Sequence, residues 1–346
     1  MAGQTYTTQA ARIGKLKGEI LKRAIPREVL SVAGQTKQMP KNKGNQVVYR
    51  RYYPYGGTDN VWVSDGGDAT LVAAHVLAEG VTPSADSITA TDVTATLTEY
   101  GALYSYSNKV GELYEDDIPA EMIRQVADRI ALTREMVRFG ALKAGTTVVY
   151  GGAGTSAATV NGAVGASKLR SAKRTLEKAH AEMVTDILAP SPNFGTSSIE
   201  AAFLCFAHTD MESDIRDLPK FVPVADYGSR KTVHAREIGS WENFRFILSP
   251  ELTFWSDTGA TAAGTGLKTS GTKVDVYPLI ITGMDAWGTV ALRGLDSIDP
   301  THLPYGDKQK GDPLGQRGYV GARTWFDCTV LNQGWMVVGK FGVTDL

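Results

Sequence analysis

His208-Thr-Asp210-Met-Glu212-Ser-Asp214 places a histidine and three acids within seven residues. Imidazole and carboxylates at that density can seat a divalent ion or move protons in a hydrolysis. A plainer reading is also open: a strand ends near Ala207 and a helix begins, with Asp210 as its cap and acids in its first turn. Tyr49-Arg-Arg-Tyr-Tyr-Pro-Tyr55 alternates rings with cations, as platforms for single-stranded nucleic acid do. The same residues are enriched at subunit contacts. Thr265-Gly-Leu-Lys-Thr falls short of a phosphate loop, because Leu267 stands where glycine must precede the lysine. Gly151-Gly-Ala-Gly-Thr-Ser follows no strand of the dinucleotide-binding kind and reads as a linker. No Gly-x-Ser-x-Gly elbow occurs.

The two cysteines have no metal-ligand spacing. Cys205 lies in Ala-Phe-Leu-Cys-Phe-Ala and Cys328 on the apolar face of a late strand, so both read as buried free thiols. The residues call for no cofactor and no metal. On them alone two chemical readings stay open. One is a metal-dependent hydrolase using His208–Asp214, the other a single-strand nucleic-acid binder using Tyr49–Tyr55.

The elements that would position these groups are unevenly charged. Residues 1–51 hold eleven Lys/Arg against Glu19 and Glu28, a net +9, and the rest of the chain carries −10. A basic arm on an acidic body can meet another copy or a polyanion. Arg12, Lys15, Lys17, Lys22, Arg23 and Arg27 are the arm's candidate contacts. A short amphipathic helix is expected over Gln9–Ala24. Its apolar side is too small for membrane binding. The polar N-terminus lacks a signal-peptide core, so cytosolic synthesis is the expectation. No apolar run is long enough to span a bilayer.

Strands are expected at Gln46–Tyr53, from Asp92 to about Tyr106, and at Ala201–Ala207, Asn243–Leu248, Val274–Thr282 and Trp287–Leu292. The polar stretch between the first two reads as a long excursion, a two-stranded flap. Asp116 and Asp117 before Ile118-Pro119 mark the start of a long helix. Its stripe runs through Met122, Val126, Ile130, Thr133, Val137 and Ala141, and it ends at Gly145. Some 27 residues would span roughly 40 Å. A second helix is expected over Ser167–Leu188, and Ser256–Lys273 reads as a mobile surface loop. From Gly318 to Phe341 apolar residues alternate: Val320, Ala322, Phe326, Cys328 and Val330 on one face, Arg323, Asp327 and Thr329 on the other. The Asn332-Gln-Gly break within that run predicts a closing antiparallel hairpin. Strands, long helix, mixed body and final strands make an α+β chain.

Ordered segments through the chain carry a resemblance. They include Ala11-Arg-Ile-Gly-Lys-Leu-Lys-Gly-Glu-Ile-Leu, Gln38-Met-Pro-Lys-Asn-Lys-Gly, Leu113-Tyr-Glu-Asp-Asp-Ile-Pro, Asp214-Ile-Arg-Asp-Leu-Pro, Phe244-Arg-Phe-Ile-Leu-Ser-Pro-Glu-Leu and Asp312-Pro-Leu-Gly-Gln-Arg-Gly-Tyr-Val-Gly-Ala. Together the chain resembles the tailed-bacteriophage major capsid proteins of the Hong Kong 97-like fold, in the podovirus coat branch typified by phage N-four. The resemblance implies a non-enzymatic coat protein that forms hexamers and pentamers of an icosahedral head around double-stranded DNA. It implies a virion location after assembly in the bacterial cytoplasm. It also implies a separate scaffolding protein, a portal and a decoration protein as partners. It divides the chain into an N-terminal arm (1–45), an extended loop with its flanking strands (46–100), a peripheral domain with a spine helix (101–164), an axial domain (165–317) and closing strands of the peripheral domain (318–346). Arg50, Arg51, Tyr53, Asp116, Asp117, Arg323 and Asp327 join the arm's cations as candidate contacts between subunits. The arm is expected to add little to the core, so that removing residues 1–30 leaves a foldable subunit.

Overall fold

The long strand near the C-terminus organises one half of the molecule, and a long helix lies across it. A computed structural model describes residues 4–5, 28–40, 42–52, 76–82, 88, 90–113, 118–184, 201–227, 232–292, 298–308 and 311–346. In chain order come β1 (Gln4–Thr5), β2 (Gln35–Met39), β3 (Gln46–Tyr52), β4 (Ala90–Thr96) and β5 (Thr98–Ser107). Then follow α1 (Asn108–Leu113), α2 (Ile118–Lys143), β6 (Val148–Tyr150), α3 (Ala166–Lys178), β7 (Phe203–Ala207), α4 (Glu212–Arg216) and β8 (Val222–Pro223). The rest are β9 (Glu237–Trp241), β10 (Phe244–Leu248), β11 (Tyr277–Thr282), β12 (Trp287–Leu292), β13 (Ile298–Leu303), β14 (Arg317–Val330) and β15 (Met336–Phe341). Sheet one runs β1-β5-β14-β12-β2, with β13 also on β14; sheet two runs β6-β15-β11-β7-β10-β9-β8; β3 and β4 form a separate ribbon.

The alternation in β14 is real: Val320, Ala322, Thr324, Phe326 and Cys328 are buried and Arg323 is exposed. The closing hairpin is not. β14 and β15 lie in different sheets. One edge of β14 is filled by β5 from Arg317 to Phe326 and the other by β13 and β12 in tandem, which leaves its successor no more than the short Asp327–Val330 stretch on the β5 side. β15 is buried at five of its six positions and needs cover on both faces. It finds that cover inside sheet two, antiparallel to β11 and parallel to β6. A short apolar strand hides which of these two settings it wants. At the crossing, the Asn332 side-chain oxygen accepts from the Gly334 N–H at 3.0 Å and Thr147 Oγ1 donates to the Gln333 carbonyl at 2.8 Å.

Helix α2 spans 26 residues, about 39 Å at 1.5 Å per residue. Met122, Val126 and Ile130 are buried as expected, but the stripe beyond them differs. It continues through Arg134, Glu135, Arg138, Phe139 and Leu142, with Thr133, Val137 and Ala141 only half-buried beside it. Charged residues in phase with an apolar stripe read as a solvated face unless their counter-charges are known. The first half of α2 packs Met122, Ile123, Val126 and Ile130 against Ala102, Tyr106, Val320 and Ala322 of sheet one. The second half packs Phe139 and Leu142 against Phe206, Ile280, Trp287, Phe326 and Val338, joining both sheets. Fully burying a side chain such as Phe206 is worth about 1.5–3 kcal/mol. The other face of sheet two is closed by α3 through Leu169, Ala172 and Leu176.

Three further expectations are corrected. The strand expected across 92–106 is two strands, because Leu97 is pinned by its N–H to the Asn45 carbonyl and the chain passes there from ribbon to sheet one. Helix α3 stops at Lys178: His180 takes a φ of 54° and the Ala181 N–H returns to the Leu176 carbonyl. The 256–273 loop is tied down. Ala260 donates to Val160, Lys268 to Val343 and Asp345 to Gly266 through their backbones, and the Asp257 N–H is held by Asp275 at 2.8 Å. Both cysteines are free and buried.

Candidate assembly surface

Glu28, Val29 and Leu30 root the N-terminal segment on α2. Val29 and Leu30 are fully buried. Their N–H groups both donate to Glu135 Oε1 at 3.1 Å, replacing the strand or helix partners this stretch lacks. Glu28 reaches Arg138 Nη1 at 2.9 Å and Arg134 Nε at 3.2 Å, and Arg138 lies 3.8 Å from Glu135. Both guanidiniums sit over the Phe326 ring, at 5.2 and 4.9 Å. Two arginines and two glutamates thus share one buried site against the helix, and Glu28, Arg134 and Arg138 also line a cavity of about 170 Å³. Burial pushes the Glu135 carboxyl up to about 7, against the opposing pull of the Leu30 N–H and Arg138. The sequence signal for this site was the position of Arg134, Glu135 and Arg138 in step with Met122 and Ile130.

The ribbon separates its two arginines. Burial alternates along β3, so Arg50 faces solvent and Arg51 faces the body. Arg50 makes a two-point pair with Asp92 at 2.7 and 2.8 Å. This pair lifts the guanidinium and holds the Asp92 carboxyl below its usual range. Arg51 Nη1 donates to the Leu331 carbonyl at 3.1 Å, at the crossing between the sheets. Tyr49 points the same way, with Lys37 4.8 Å above its ring, and burial raises its hydroxyl to about 12. A stacking platform needs rings and cations on one open face; here Tyr49 and Arg51 turn inward. Tyr53 to Tyr55 lie outside the described residues.

On β14, Arg323 is exposed and pairs with Asp299 at 2.9 Å and Glu99 at 3.5 Å. Asp327 is engaged inside the chain: it accepts from the Thr96 N–H at 2.9 Å, and burial raises its carboxyl. It fastens the last residue of β4 to sheet one. Arg12, Lys15, Lys17, Lys22, Arg23, Arg27, Asp116 and Asp117 lie outside the described residues.

The histidine-acid cluster disperses. His208 follows β7 and its own Nδ1 caps the next turn, accepting from the Asp210 N–H at 3.0 Å; the capping residue is His208 rather than Asp210. Asp210 takes Lys268 Nζ at 2.6 Å and the Tyr277 hydroxyl at 2.9 Å. Asp214 takes the Thr344 N–H at 3.0 Å and its hydroxyl at 2.6 Å. Glu212 pairs with Arg216 at 2.8 Å. Each carboxylate answers a different partner, so they share no common point for an ion or a reacting bond. Burial lowers the His208 pKa.

Comparison with known proteins bears on the fold and the family. The chain is 21% identical to the major capsid protein of Pseudomonas phage KPP21, over 87% of this chain and 85% of that one. In fold it is similar to the capsid of Ralstonia phage GP4, with a TM-score of 0.63, 11% identity and coverage of 99% of this chain and 96% of that one. The cyanophage Pam1 capsid is similar at a TM-score of 0.58 and 12% identity, covering 100% and 97%. The sequence model of the phage capsid protein family matches residues 89–294. With well over half of its length inside that match and an α+β capsid fold around it, the chain belongs to the phage capsid protein family: it is a structural major capsid protein, not an enzyme.

Proposed function

We propose that copies of this chain associate as hexamers and pentamers that close into an icosahedral head around double-stranded DNA. The observation that carries self-association is the edge of β5. One side of β5 is paired with β14 from Thr98 to Ser107. Its other side is paired only at Tyr106 and Ser107, with β1, among the described residues. An open strand edge with Leu103 exposed on it is a ready place for another chain. Many such contacts, each weak, close by symmetry.

In this reading residues 1–45 form the arm, 46–100 the extended loop, 101–164 the peripheral domain, 165–317 the axial domain and 318–346 the closing strands. Arg12, Lys15, Lys17, Lys22, Arg23 and Arg27 reach acidic surfaces of neighbours or packaged DNA; phosphate contacts would be sequence-independent and salt-sensitive. Arg50, Tyr53 and Arg323 meet neighbours at the loop and at β14, and Arg51, turned inward, serves that contact by holding the ribbon to the Leu331 carbonyl of its own chain. Asp327 serves that contact indirectly, by fixing the loop's base. A scaffolding protein, a portal and a decoration protein complete the head, which assembles in the bacterial cytoplasm. Electron microscopy of the purified chain, alone and with its phage's scaffold, tests this. Closed shells are expected. A chain that stays monomeric under all assembly conditions and is missing from virions refutes it.

A further inference from the structure

Two lysines share one indole at the far end of α2. Lys143, in the last turn of the helix, lies 4.1 Å from the centre of the Trp255 ring, and Lys340 of β15 lies 4.9 Å from it. The two ammoniums are therefore within about 9 Å of each other, the most that those two distances allow. The ring is held in place, because Trp255 and Val276 exchange backbone hydrogen bonds at 2.8 and 2.9 Å. Phe139 lies 5.1 Å beneath Lys143 and Tyr150 lies 5.9 Å from Lys340. Lys143 donates to the Thr253 carbonyl at 3.1 Å. Neither lysine has a carboxylate partner among the described residues. Burial and the neighbouring Lys340 both lower the Lys143 pKa. Two half-buried like charges on a fixed ring, with no counter-charge among the described residues, make a poor stability device and a ready acceptor for an anion.

The chain carries a matching group. Glu115, Asp116 and Asp117 directly precede Ile118, the first residue of α2. From Ile118 to Lys143 the helix rises roughly 38 Å. A rigid helix keeps the acids and the lysines of one chain apart, so they can meet only between copies. We infer that the Lys143–Lys340–Trp255 site receives the Glu115–Asp117 segment of a second copy, in a head-to-tail contact. Such a contact joins unlike surfaces and generates a ring when its rotation closes. This rests on the proposed self-assembly and names one of its contacts. Duplex DNA, with its continuous array of phosphates, rewards a broad basic face. Two lysines on one indole instead form a point site, suited to a short acidic segment.

The test uses the full chain under conditions where the parent forms particles, with yield read by sedimentation and microscopy and folding read by thermal melting. Lys143→Gln/Lys340→Gln and Asp116→Asn/Asp117→Asn should each lower particle yield about tenfold while melting like the parent. Combining Lys340→Glu with Asp116→Lys should regain most of the yield that either loses alone. Normal yield from either neutralised variant overturns the inference. So does a combined reversal that regains nothing although its components fold. Lysine variants that assemble normally yet hold less DNA assign the lysines to DNA and overturn it too. A parent chain that never assembles overturns the coat proposal itself, a result distinct from all of these.

Discussion

Replacing Arg138 by Met removes a guanidinium but keeps most of the side chain's bulk. In the folded chain Arg138 is 2% exposed and its Nη1 stands 2.9 Å from Glu28, itself 8% exposed. Breaking one side of a buried pair costs about 3–5 kcal/mol, because the remaining charge stays buried. Arg134, still 3.2 Å from Glu28, holds the cost at the lower end. The lost contact with Phe326 at 4.9 Å adds up to about 1 kcal/mol. The expectation is a loss of about 3–4 kcal/mol for Arg138→Met and about 3 kcal/mol for Glu28→Gln, which strands the two arginines with Glu135. The double variant leaves fewer unmatched charges and should be about 2 kcal/mol more stable than the sum of the singles. Urea unfolding of unassembled subunits measures all four species, with an unchanged dependence on denaturant as the control. Additivity within about 0.5 kcal/mol, or a cost below about 1 kcal/mol for Arg138→Met, would refute the view that these charges compensate one another.

The pH dependence of that site has a definite sign. The Glu135 carboxyl goes from 4.5 to about 7 on folding, so between those values the folded chain holds the extra proton and stability falls as pH rises. His208, His234 and His302, all lowered by burial, act oppositely as pH falls through 6.5. Glu135→Gln lacks that titration, so the stability of the parent relative to this variant, followed by melting from pH 5 to pH 8, should fall as pH rises; no change in the difference across that range counts against the burial argument. Truncation after residue 27 should leave melting unchanged, whereas truncation after residue 30 should lower it by several degrees, since Val29 and Leu30 are core; equal melting of the two would contradict that assignment. Gly318→Ala should destabilise by about 1–3 kcal/mol because its Cβ would run into the Tyr106 ring, and Tyr106→Leu in the same chain should relieve most of that loss in a urea titration.

The inward face of β14, the first half of α2 and both buried thiols were legible in sequence because their apolar residues follow the period of their element. The second half of α2 was not. Arg134 and Arg138 are buried with Glu28, more than a hundred positions earlier, as their counter-charge, and Glu135 is buried against the N–H groups of Val29 and Leu30 beside it. The hairpin failed for a related reason: whether β15 pairs with β14 depends on edges occupied by β5, β12 and β13, which no local pattern records. For the same reason removal of residues 1–30 no longer reads as harmless. The histidine-acid cluster looked like chemistry in one dimension, yet Lys268, Tyr277 and Thr344, all distant in sequence, draw its carboxylates apart.

The passage of the chain from β14 into β15 makes the two sheets one mechanical unit. A pull on sheet two along its last strand is delivered through residues 331–335 straight into β14. There it meets β5 across ten paired positions lying along the pull. Hydrogen bonds loaded in that direction share the force and yield together. The β3–β4 ribbon, pulled apart at its Tyr52–Ala90 end, is loaded across its strands, and its seven pairs would give way one after another. One subunit therefore contains a stiff member and a compliant one. The difference between them is set by the direction in which strands of similar chemistry are drawn.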